Sequence, residues 1–65
     1  MKYIEVKAIY NGHIEKCFLN THYIVEIEEI EGSTNISLFN NVVIQVDESV
    51  EDIICKIQDA EDRMV

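Results

Sequence analysis

Between Phe18 and Ile57 the apolar period changes once, at Asp47-Glu48-Ser49. Before that point apolar residues alternate in short runs broken by Asn, Gly and Ser. After it they recur every three or four residues. A period of two belongs to a strand and the longer one to a helix. In 65 residues, one such switch leaves room for a single domain in which a small sheet is followed by one helix. The expected class is α+β and β-rich. About five short antiparallel strands form a curled sheet or partly open small barrel, and a C-terminal amphipathic helix completes it.

The strands are expected over residues 2–10, 14–19, 23–30, 34–39 and 42–46. In the first, Ile4, Val6, Ala8 and Tyr10 share one parity and Tyr3, Glu5, Lys7 and Ile9 the other, the pattern of a half-buried strand. Asn11-Gly12 is the strongest hairpin signal in the chain. In the return strand Ile14 and Phe18 compete with Cys17 and Leu19 for the inner face, which predicts an irregular start or a bulge near His13. The third strand sets Tyr23, Val25 and Ile27 against Ile24 and Ile30. Glu31-Gly32-Ser33 and Asn40-Asn41 are the remaining turns, since Asn tolerates left-handed backbone.

The helix is expected over residues 50–62. Ser49 is a suitable N-cap, and Glu51 and Asp52 complement the helix dipole in the first turn. Val50, Ile53, Ile54, Ile57 and Met64 form the apolar stripe. Asp59, Glu61 and Asp62 oppose the dipole at the far end, opposed in turn by Lys56 and Arg63 alone, so fraying is expected after Ala60.

A core this small rarely contributes more than roughly 3–5 kcal/mol without help. Large apolar residues on both parities of the first and third strands also exceed what a monomer of this size buries. Tyr3, Ile9, Ile24 and Ile30, with Ile54 and Ile57 of the helix, are the predicted core or oligomer contacts, and a homo-oligomer is expected.

The net charge of −8 is unevenly spread. Residues 1–20 set Lys2, Lys7 and Lys16 against Glu5 and Glu15; residues 21–65 set Lys56 and Arg63 against eleven acids. That balance disfavours direct nucleic-acid binding and anionic membranes, whose phosphates need Lys and Arg. It suits a basic protein partner. Glu26, Glu28, Glu29, Glu31, Glu51 and Asp52 are the candidate acidic binding face. If they imitate a phosphate backbone, the chain is an acidic inhibitor of a nucleic-acid-binding or immune protein. A third reading is an oligomeric trap for a small nucleotide signal, with Lys2, Lys7 and Lys16 as anion contacts.

No enzyme is expected. Glu26 and Glu28 share a strand face about 7 Å apart, but no nucleophile pattern or phosphate loop accompanies them, and a chain this short is expected to lack a pocket of the usual ~300 Å³. No metal or other cofactor is expected either. His13, Cys17, His22 and Cys55 lack the close pairing of zinc ligands, and residues 13 and 17 of a strand stand roughly 13 Å apart. Two surface histidines and two buried, reduced thiols in a cytoplasmic protein are the expectation. No apolar run approaches the ~20 residues of a membrane span.

Several motifs in order resemble the FlbD-like family of small flagellar and swarming-motility proteins. They are Tyr10-Asn11-Gly12, Phe18-Leu19-Asn20, Ile24 to Glu28, Ile36-Ser37-Leu38, Asn40-Asn41, Val42 to Val46 and Glu48-Ser49-Val50-Glu51-Asp52-Ile53-Ile54. The resemblance spans residues 4–57 and extends to short chains of phages and mobile elements. It implies the same strand order and terminal helix, no enzyme activity, no cofactor and no catalytic residues.

Overall fold

The computed structural model describes residues 2–62. Strands β1 (Tyr3–Tyr10), β2 (His13–Asn20), β3 (Ile24–Ile30), β4 (Ser33–Leu38) and β5 (Val43–Val46) precede helix α1 (Val50–Asp62). All pairings are antiparallel, and the strands form one open sheet in the order β2-β1-β5-β4-β3. The α+β, mostly β expectation is met.

A single 3-10 turn, Thr21–Tyr23, carries the chain from the β2 edge to the β3 edge. Four residue steps reach at most about 14 Å, whereas the outer strands of a flat five-stranded sheet stand roughly 19 Å apart before any offset along the strands. The sheet is therefore strongly curled. Hydrogen bonds hold the turn at both ends: Thr21 N–H donates to Lys2 C=O at 2.9 Å, and Phe39 N–H donates to Tyr23 C=O at 2.9 Å.

Ile4, Val6 and Ala8 of β1, Leu19 of β2, Ile36 of β4, Ile44 and Val46 of β5 and Ile53 of α1 form the core. Ile24, Ile27 and Ile57 pack against it. The expected irregularity near His13 is not found. The β1–β2 register runs without a break from Tyr10↔His13 to Tyr3↔Asn20, because Asn11 (φ 48°) and Gly12 (φ 79°) both take the left-handed conformation of a two-residue turn. Leu19 and half-buried Cys17 face inward, which leaves Ile14 and Phe18 exposed.

The bulge lies instead in β3, where Ile24↔Leu38 is followed by Glu26↔Ser37. The unpaired residue is Val25. Strict alternation would send either Ile24 or Ile27 to solvent, and the inserted residue lets both turn inward. It also corrects the expected grouping of Tyr23, Val25 and Ile27, since Tyr23 and Val25 are exposed.

Helix α1 is capped as expected. Asp52 N–H donates to Ser49 Oγ at 3.1 Å, and Ile53 N–H donates to Ser49 C=O at 3.1 Å. The buried stripe is narrower than expected. Ile53, Ile57 and Ala60 pack against the sheet and Val50 is half-buried, but Ile54 is 41% exposed. At 100° per residue it stands about a quarter-turn away from the line through Ile53 and Ile57. Ile54 as a core contact is thus corrected to a surface residue. Met64 and Arg63 lie outside the described residues.

Candidate interaction surfaces

One corner of the sheet gathers exposed apolar side chains from three segments. The 3-10 turn and the start of β3 contribute Tyr23 and Val25, the β4–β5 turn contributes Phe39 and Val42, and the start of β5 contributes Val43. Phe39 is 73% and Val25 69% exposed. The Tyr23 and Phe39 rings stack with centroids 5.9 Å apart. With Leu38 and Asn40 they line a shallow, mostly apolar cleft of about 150 Å³. The backbone makes this corner. Val42 C=O accepts from Leu38 N–H at 2.8 Å, Asn40 Oδ1 accepts from Val42 N–H at 3.3 Å, and Asn41 (φ 69°) reverses the chain.

The sequence signals pointed elsewhere for surplus apolar surface. Of the six residues expected as core or oligomer contacts, Ile24 and Ile57 pack against the core and Ile9 is half-buried, while Tyr3, Ile30 and Ile54 are exposed. Phe39, Val42 and Val43 were missed because they flank a turn, where alternation carries no facing information.

The six acids of the candidate face are dispersed. Ile27 pairs with buried Ile36, so Glu26 and Glu28 stand on the opposite, outer face of β3. Glu31 occupies the β3–β4 turn at φ 51°. Glu51 is exposed on the first turn of α1. Only Glu29 and Asp52 converge, lining a groove of about 510 Å³ together with Asp47 and Glu48. The expectation that the chain is too short for a pocket of this size is thereby overturned. The groove opens where the β3–β4 tip, the end of β5 and the start of α1 meet, a convergence of distant segments that local sequence patterns do not report.

Lys2, Lys7 and Lys16 lie on or beside the β1–β2 hairpin. Lys7 and Lys16 stand directly opposite each other on the outer face, an unfavourable pairing of like charge. Glu5 relieves it at 4.0 Å from Lys16 Nζ. Lys2 precedes the strand, and its carbonyl is taken by Thr21.

One polar cluster was not foreseen. Lys56 of α1 pairs with Glu48 and also donates to Glu5 C=O at 2.7 Å. Glu48 Oε1 accepts from Lys7 N–H at 2.9 Å. Burial pushes the Glu48 carboxyl pKa up. The Lys56 hydrogen bond, the Lys7 amide and both lysine charges outweigh burial and hold it below its ordinary 4.5.

Among the described residues no group of three or more His, Cys, Asp or Glu is arranged to hold a metal ion. Cys17 is half-buried and Cys55 exposed, and both are free thiols; the expectation of two buried thiols fails for Cys55. No described helix is long and apolar enough to cross a membrane. No family model, curated protein or solved structure matches this chain.

Proposed function

We propose that this protein is a non-enzymatic interaction module that binds a partner protein and associates with itself. The observation that carries this reading is the apolar corner. Stacked Tyr23 and Phe39, with Val25, Val42 and Val43, stay exposed in a chain whose core holds eight buried hydrophobic residues. So much apolar surface in one place is characteristic of contact sites rather than of free monomer surface. The motif order that resembles the FlbD-like family supports the same class, and a motility or phage-borne role is proposed on that resemblance alone.

The test is capture of partners by the immobilised chain and by a Phe39→Asp variant, at low and at high salt. Phe39 is exposed, so the variant is expected to keep the wild-type circular dichroism spectrum. A partner retained at high salt and lost from Phe39→Asp supports the reading. A partner held equally by both proteins removes the corner from it.

A second reading draws on Glu26 and Glu28. They lie side by side on the outer face of an edge strand, and no cation among the described residues pairs with them. It makes the chain an acidic inhibitor of a basic, nucleic-acid-binding protein. Capture would then fall steeply with salt and be abolished by Glu28→Lys rather than by Phe39→Asp.

A further inference from the structure

An open sheet has two edges, and here they differ in kind. The β3 edge carries Glu26, Glu28 and Glu29, is followed at once by Glu31, and is broken by the bulge at Val25. Charge and a bulge are the usual devices that stop an edge from pairing. Two β3 edges brought together would oppose eight carboxylates. The β2 edge has no bulge and carries one charge of each sign. Its eight residues keep an unbroken register with β1, it contains no proline, and Glu15 and Lys16 cancel. Ile14 and Phe18 stand 57% and 61% exposed along it.

The hydrogen-bond direction of that edge follows from β1. Lys7 N–H and C=O point towards β5, where Glu48 and Asp47 N–H meet them, so the even-numbered residues of β1 point towards β2. In the antiparallel register their partners are His13, Glu15, Cys17 and Leu19. The amides of Ile14, Lys16 and Phe18 therefore face outward from the sheet.

We propose that β2 pairs with β2 of a second copy, antiparallel about a two-fold axis, and joins two sheets into one. This inference rests on the self-association reading and names the surface that performs it. With even-numbered amides outward, two registers overlap over the longest stretch. One sets Lys16 against its own copy. The other sets Cys17 against Cys17 of the second copy, with each Lys16 opposite the other Phe18. Like charges directly opposed are unfavourable and a cation over an aromatic ring is favourable, so charge selects the second. The Cys17 pair is then a non-hydrogen-bonded pair with Cα atoms about 4.5 Å apart, within disulfide reach.

The test uses the whole 65-residue chain in three measurements. Light scattering gives the mass of the reduced protein. Diamide then oxidises two Cys17 thiols to one disulfide, its azo bond taking up the two electrons and two protons released. A covalent dimer on a non-reducing gel that forms with Cys55→Ser but not with Cys17→Ser supports the pairing. Finally, Phe18→Lys opposes two lysine pairs across the axis and Phe18→Glu creates two attractive ones. Both lose the same ring at an exposed site, and their dimer Kd values are expected to differ by about ten-fold or more, the lysine variant being weaker. An oligomer that shows neither the Cys17 link nor this ordering overturns the β2 pairing and leaves self-association standing. A wild-type monomer at every concentration overturns both.

Discussion

Lys56 of the helix and Glu48 of the loop before it complete the unfinished edge of β1. The β5 strand ends at Val46, and the last backbone bond to β1 is Asp47 N–H to Lys7 C=O at 2.8 Å. The next two groups along that edge, Lys7 N–H and Glu5 C=O, are taken by the Glu48 carboxylate and the Lys56 ammonium, which also pair with each other. Two side chains thus replace the missing rungs of the ladder, and they fix the helix against β1, which carries more of the core than any other strand.

Glu48→Ala is expected to cost about 1–3 kcal/mol, because it leaves the Lys7 amide without its acceptor and removes the carboxylate partner of Lys56, which keeps Glu5 C=O. Urea unfolding measures the loss. The pH dependence has a definite sign. The folded pKa of Glu48 lies below its ordinary 4.5, so the stabilisation is complete above about pH 4.5 and disappears as pH falls through the folded value. Wild type should lose more stability than Glu48→Ala between neutral and acidic pH, and equal losses would remove Glu48 from the account.

Ile53 and Ile54 are adjacent on the chain and opposite in consequence. Ile53 is fully buried and Ile54 is 41% exposed. Ile53→Ala should destabilise by about 2–5 kcal/mol, comparable to the whole stability of so small a domain. Ile54→Asp should leave the monomer fold intact, with a change within about 1 kcal/mol. A collapse of the Ile54→Asp variant in thermal melts would place the helix in a different rotation.

Ser49→Ala removes the acceptor of the Asp52 amide and should cost about 1 kcal/mol. In a domain of this length that lowers Tm by roughly 4–8 °C, readable by circular dichroism at 222 nm. The Ser49→Asp variant, which keeps an acceptor at the cap, should retain most of the wild-type Tm.

The elements legible in the sequence were those whose signals are local. Ile4, Val6 and Ala8 alternate and are buried; Asn11-Gly12 and Asn41 reverse the chain with left-handed backbone; Ser49 caps the helix. What was not legible depends on partners distant along the chain. The facing of β2 is decided by its register with β1, since Ile14 and Phe18 are as apolar as Leu19. The bulge at Val25 reconciles two isoleucines three residues apart with one core. Glu48 and Lys56 meet two backbone groups more than forty residues away. The acidic groove joins the β3–β4 turn, the end of β5 and the start of α1, and the Tyr23–Phe39 stack follows from the β3–β4 register.

Glu31 holds φ 51° in the β3–β4 turn, a conformation in which Asn is far more at ease than Glu. Glu31→Asn should raise stability by about 1 kcal/mol and Tm by roughly 4–8 °C. Removal of one charge beside Glu28 and Glu29 acts in the same direction. An unchanged or lower Tm would mean that the turn does not have the left-handed geometry described.

On the function proposed above, this protein works by contact, with itself and with a partner. The most direct test of that reading is the molar mass by light scattering of the whole, reduced 65-residue chain over a concentration series. The account predicts a mass that is a multiple of the 7.5 kDa chain at micromolar concentration and that falls towards it on dilution. A mass of 7.5 kDa at every concentration, in a protein whose circular dichroism shows the helix formed, contradicts it.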